Sequence, residues 1–101
     1  MTEPGVRILF HATVEEGREA AFLDAYEHVR KRVAEAEGHL GEELCQSLTE
    51  PGEWLITSAW ASEEHYRAWA REDGHQDLAA PIVATTLTRA DKPYAVRVRT
   101  A

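Results

Sequence analysis

At 101 residues, the chain has material for one hydrophobic core and too little for two. A hydrophobic share of 44% beside 29% charged residues excludes global disorder. The balance of 11 Lys and Arg against 18 Asp and Glu gives a net charge of -7, whose field repels polyanions, so no nucleic-acid and no membrane partner is expected.

Residues 1–101 are accordingly read as a single domain. Cys45 is the only cysteine, which rules out an intrachain disulfide or a thiolate metal cage and fits a reducing compartment. The opening Met1-Thr2-Glu3-Pro4-Gly5 lacks the basic and apolar run of a secretion signal, and no apolar stretch approaches the ~20 residues of a membrane span. A cytoplasmic location is expected.

In chain order, Val6 to Val14 reads as a first strand, with Val6, Ile8, Phe10, Ala12 and Val14 on one face. Gly17 breaks that pattern. From Arg18 to Glu37 the apolar positions Phe22, Tyr26, Val29, Val33 and Ala36 recur at helical steps, and Gly38 supplies a stop. Leu40 to Leu48 is read as a second strand from the alternation Leu44, Gln46, Leu48, followed by turn chemistry in Thr49-Glu50-Pro51-Gly52. A hairpin then leads into a third strand, Trp54 to Trp60.

Ser62 stands at an N-cap, with Glu63 and Glu64 where the helix dipole favours negative charge, and this second helix should reach Arg71 or Glu72. Asp73-Gly74 marks a break. One short turn from His75 to Ala80 is expected before Pro81, then a segment from Ile82 to Leu87 whose pattern is compatible with a helix but does not require one. A last strand introduced by Pro93 carries the alternation Tyr94, Val96, Val98. The order β-α-β-β-α-β predicts an α+β, ferredoxin-like fold, an antiparallel sheet with helices on one face. The other face would bury Leu9 and its neighbours against a second copy at roughly 25 cal/mol per Å², so a homodimer closing a barrel is expected.

The five histidines are the groups able to change charge near neutral pH. None stands in a His-x-x-x-His pair, so no metal site is expected. His28 and His39 read as a solvated helix side and a loop, and His11 as a residue of the dimer seam. Glu42 and Glu43 point to opposite faces of a strand and are read as solvated edge charges. No activated nucleophile and no glycine-rich phosphate loop is present. Eight residues are aromatic, and most lie on elements that converge. Phe10, Phe22, Tyr26 and Tyr66 are candidate walls for a flat apolar ligand, with His75 and His65 at the rim and Trp69 on the same helix as His65. The plainer reading of these rings is that they are only core.

The segment Glu37-Gly38-His39-Leu40-Gly41-Glu42-Glu43-Leu44, the strand end Thr57-Ser58-Ala59-Trp60, and Ser62-Glu63-Glu64 leading to Trp69 and His75 resemble the antibiotic biosynthesis monooxygenase family over nearly the whole chain. The resemblance implies a dimeric α+β barrel and a choice of activities. These include cofactor-independent, quinone-forming monooxygenases of aromatic polyketide pathways, which use dioxygen, and haem-degrading monooxygenases. Trp69 falls where the haem-degrading members carry a tryptophan, but Ala79 stands where they carry the haem-ligating histidine and Phe10 where they carry an asparagine. The implied cofactor is therefore none, with haem as the less favoured choice. On this reading His75 or His65 takes a phenolic proton, Trp69 and Tyr66 hold the ring, and Phe10, Phe22 and Tyr26 keep it dry. The same barrel could also serve as an aromatic polyketide cyclase or as a non-catalytic dimeric ligand-binding protein.

Overall fold

Strand β1 (Val6–Val14) buries Ile8, Ala12 and Val14 and exposes His11, the period of two that the sequence carries. This and every other position comes from a computed structural model that describes residues 5–100. β1 lies between β3 (Glu53–Trp60) and β4 (Thr86–Ala95), and β2 (His39–Gln46) pairs with β3, all antiparallel, in the order β2-β3-β1-β4. Helix α1 (Glu19–Val33) crosses over between β1 and β2, and α2 (Glu63–Ala70) with α3 (His75–Thr85) crosses between β3 and β4. The expected ferredoxin-like arrangement is present. Trp54, Ser58 and Trp60 are the buried positions of β3 and sit opposite Ala12, Ile8 and Val6, so both central strands turn the same face to the helices.

β2 and α2 end within two residues of the sequence reading, and three other boundaries differ from it by more. Helix α1 ends at Val33, and residues 34–39 close in tighter i to i+3 hydrogen bonds, Glu35 to Arg32, Ala36 to Val33 and His39 to Ala36. Gly38, at φ 84°, completes that exit. Helix α3 does not stop at Pro81 but runs through it to Thr85. Burial of Ile82 at 5% exposure outweighs the helical hydrogen bond that proline forfeits, and the hydroxyls of Thr85 and Thr86 donate back to the Pro81, Ile82 and Val83 carbonyls.

The last strand begins at Thr86 and runs through Pro93, ending before the alternation Val96, Val98 that suggested it. Pro93 is tolerated because β4 is an edge strand. The Val96 amide donates to the Gly5 carbonyl, and Ile8 faces Pro93 three steps further along the register. Pro93 therefore occupies a pair without cross-strand hydrogen bonds, and its nitrogen points away from β1. α2 starts as expected, with the Ser62 hydroxyl accepting from the His65 amide at 3.2 Å.

The helix-covered face holds two separate clusters. One joins Val14, Phe22, Ala25, Tyr26, Trp54 and Ile82, with Phe22 tilted on Trp54 at 5.4 Å between ring centres. The other joins Ile8, Val33, Trp60 and Trp69. Phe22 is wholly buried, and Phe22→Ala is expected to lower the unfolding free energy by about 3–5 kcal/mol in urea titrations. Gly38→Ala should be costly too, since the left-handed φ is strained by about 1–3 kcal/mol and the new Cβ would collide with the His65 ring. Gly41→Ala, where a Cβ meets nothing within 4 Å, is the matched control and should cost clearly less.

Candidate active site

Between the two clusters lies a cavity of about 130 Å³. Its floor is the centre of the sheet, Ile8 and Phe10 of β1, Ile56 and Ser58 of β3, and Glu42 of β2; Tyr66 and Trp69 of α2 and His75, Ala79 and Ile82 of α3 roof it, with Val29 of α1 on one side and Asp91 of β4 at the other. The alternation of β1 puts Phe10 inside, and the four-residue interval from Ser62 sets Tyr66 on the inner side of α2.

The structure brings His75, Trp69, Tyr66 and Phe10 to one cavity wall. His75 stands edge-on to Trp69 with ring centres 5.1 Å apart, and its Nδ1 is buried without a hydrogen-bond partner. The other three sequence candidates lie elsewhere. His65 packs over Gly38 and holds its Nδ1 2.7 Å from the Ser62 hydroxyl, which spends it on the start of α2. Phe22 is interior to the cluster under Trp54, and Tyr26 stands behind the wall, its hydroxyl donating to Glu42 Oε2 at 2.7 Å.

Two readings from the sequence are corrected here. Glu42 is no solvated edge charge: its side chain is 10% exposed, and His39, read as a loop residue, is 7% exposed with its Nε2 3.7 Å from Glu42 Oε1. Glu42 sits opposite Ser58 and so shares the helix-covered face. A shift of register between His39 and Gly41 also turns His39 inward, edge-on to Trp60 at 5.1 Å. Burial pushes the Glu42 carboxyl above the usual carboxylate range, while the Tyr26 hydroxyl and the nearby His39 pull it back in part. Asp91, facing Phe10 across the β1–β4 pair, is raised by the same loss of water, with His75 opposing. Tyr66 is raised by burial and by the Asp91 charge. The chemistry of this arrangement is that of a mainly apolar slot with ring walls, one imidazole, and two carboxyls biased towards their protonated forms.

Residues 5–81 match the sequence profile of the family described as antibiotic biosynthesis monooxygenase. The chain is 44% identical over 77 residues to the 42.8 kDa protein in the whiE locus of Streptomyces coelicolor, a match covering 76% of this chain and 19% of that protein. The chain therefore spans only that small part of the curated relative's length. It is 35% identical over 68 residues to a heme-degrading monooxygenase of Listeria welshimeri, covering 64% of this chain and 56% of the other. Among solved structures, SnoaB, a cofactor-independent oxygenase from Streptomyces nogalater, superposes with a TM-score of 0.86 at 17% identity, over 95% of this chain and 96% of that one. At such identity the likeness is one of fold.

The cavity does not fit a haem. Ala79 contributes only a methyl group to the wall, and the one imidazole that lines the cavity is packed against Trp69. The acidic groups facing inward are Glu42 and Asp91, and no Lys or Arg lines the cavity to pair with propionates.

The raised carboxyls have a consequence for stability. A carboxyl whose folded pKa lies above its unfolded value stabilises the fold below the unfolded value, and that contribution is lost as pH rises through the folded one. Glu42→Gln is therefore expected to gain stability relative to the wild-type chain between about pH 5 and about pH 8. Urea titrations at the two values check this, and a constant difference would show that Glu42 is ionised alike in both states.

Proposed function

The chain belongs to the antibiotic biosynthesis monooxygenase family, and from that membership we propose that it is a cofactor-independent monooxygenase that oxidises a polyphenolic, polyketide-type aromatic to a quinone. The observation that carries the reading is the convergence of His75, Trp69, Tyr66 and Phe10 on one apolar cavity. A deprotonated anthrone or naphthol is itself electron-rich enough to reduce dioxygen. The protein then has only to take the proton, exclude water and hold the ring.

His75 is the base in this scheme, its unpartnered Nδ1 accepting the proton of the substrate. The resulting carbanion reduces dioxygen and forms a C–O bond, giving a hydroperoxide once His75 returns the proton. Loss of water from that hydroperoxide leaves the new carbonyl, so one dioxygen becomes one carbonyl oxygen and one water. Trp69 and Tyr66 would hold the ring by stacking and edge contacts. Haem degradation is disfavoured by the donor set of the cavity.

The assembly proposed with this activity is a homodimer. Leu9 and Leu55 lie on the sheet face that no helix covers, and Tyr94, 51% exposed, belongs to the open edge strand. No helix among the described residues is long and apolar enough to cross a membrane.

With dithranol, a dihydroxyanthrone, as substrate, the protein should consume one dioxygen for each quinone formed. Conversion without oxygen uptake would point to a cyclase, and no conversion would overturn the oxygenase reading for this substrate class. Trp69→Ala should weaken anaerobic dithranol binding about tenfold or more, and His75→Ala should lower kcat about 100-fold with an unchanged circular dichroism spectrum. Light scattering at high protein concentration should give twice the chain mass; a monomer mass would refute the dimer.

A further inference from the structure

The oxygenase scheme uses one base, yet the cavity holds a second proton-handling group that it leaves idle. Glu42 reaches the cavity from β2. Its Oε2 accepts the Tyr26 hydroxyl at 2.7 Å, which leaves Oε1 as the oxygen free to carry a proton. His39 Nε2 stands 3.7 Å from Oε1, too far for a hydrogen bond, and that nitrogen is itself buried and unpartnered. A carboxyl and an imidazole facing each other at that distance, both almost sealed from water, form a pair that closes by less than an ångström to share one proton, the looseness common in sites without substrate.

We propose, resting on the oxygenase reading above, that Glu42 is a catalytic acid–base residue of this cavity, its carboxyl held between the Tyr26 hydroxyl and the His39 imidazole. Its task is the last step. When the substrate hydroperoxide collapses, His75 removes the remaining C–H proton, the C–H electron pair becomes the second bond of the carbonyl, and the O–O bond breaks. The departing hydroxide takes the Glu42 proton and leaves as water. The carboxylate then recovers its proton from the His75 imidazolium, and both groups return to their starting states. Carbon loses two electrons in this step and the peroxide oxygen gains them, so no further oxidant or reductant enters.

Glu42 suits that task better than the other acid on the wall. Asp91 borders the cavity from the edge strand with part of its surface still open to solvent, whereas the Glu42 side chain is 10% exposed. Burial raises its carboxyl above the usual carboxylate range, which favours the protonated acid. The groups facing it are known from each element: Tyr26 on α1, His39 on β2, Ser58 on β3, Tyr66 on α2, and His75 and Asp91 across the cavity. Of these, Ser58 is already committed to accepting the Trp60 indole N–H at 3.0 Å. Tyr26 and His39 touch no substrate and act as positioning residues.

The test has two independent readouts. Infrared titration of the wild-type protein should show carboxylic-acid carbonyl absorption persisting above the pH at which exposed carboxyls ionise, including a band that Glu42→Gln removes and Asp91→Asn leaves. A band that disappears together with those of the exposed carboxyls would overturn the proposal. With dithranol, Glu42→Gln should consume oxygen in the first turnover but form quinone at least about 100-fold more slowly, with hydroperoxide detectable by ferrous oxidation. Quinone formation at the wild-type rate in an active enzyme would refute the role of Glu42 alone; wild-type protein inert towards dithranol would instead refute the oxygenase reading, and this step with it. If Glu42→Gln does not fold, Tyr26→Phe keeps the carboxyl and removes its donor, which should move the Glu42 band and the quinone-forming pH limb upward together. An unmoved limb would also overturn the proposal.

Discussion

The cavity exists because the inner face of the sheet supports two aromatic packings that do not meet. At one end Phe22, Tyr26 and Trp54 fill the space under α1, and at the other Trp60 and Trp69 fill it under α2. Interiors pack at crystal-like density, so a gap persists only where the side chains are too short or too polar to close it. Ser58 and Ala79 are short, and Glu42 is polar. Each large ring is anchored away from the gap: Trp60 by the Ser58 hydroxyl, Trp54 by Phe22, Trp69 by His75. The rings wall the space without falling into it.

This division also explains why the titratable groups of the site are biased towards their neutral forms. Glu42, Tyr26 and Tyr66 all stand where low polarity penalises the charged form. An aromatic slot of this kind suits dioxygen and a flat ring, both poorly served by water, and carboxyls in it serve as proton sources and sinks rather than as fixed charges. Most other charged side chains lie away from the cavity, as in the exposed Glu27–Arg30 and Glu63–Arg67 ion pairs of α1 and α2.

Much of this was legible in the residues themselves. The alternation Val6 to Val14 named the inner face of β1, and Ser62 followed by two glutamates named the start of α2. Trp69, Tyr66, Phe10 and His75 emerged as cavity residues because their spacing and side-chain chemistry reflect where they lie. The rest depended on long-range facts. Pro93 reads as a strand boundary unless the edge position of β4 is known, and Pro81 as a helix stop unless the burial of Ile82 is known. Glu42 shares the parity of Leu44, so the period of two was enough to put it inside; its charge argued the other way, because a buried carboxylate needs partners that the sequence places 16 residues away, at Tyr26. His39 was out of reach altogether, since its direction follows from a shift in register.

Pro93 has an effect beyond the fold of one chain. The outer rim of β4 is a row of backbone groups that a stray strand can pair with, the usual route by which open sheets recruit one another into fibrils. At Pro93 that rim offers no N–H and a ring that props an incoming strand away. A solution crowded with this protein is thereby guarded against runaway growth along that rim by a single residue whose cost to the native ladder is nil.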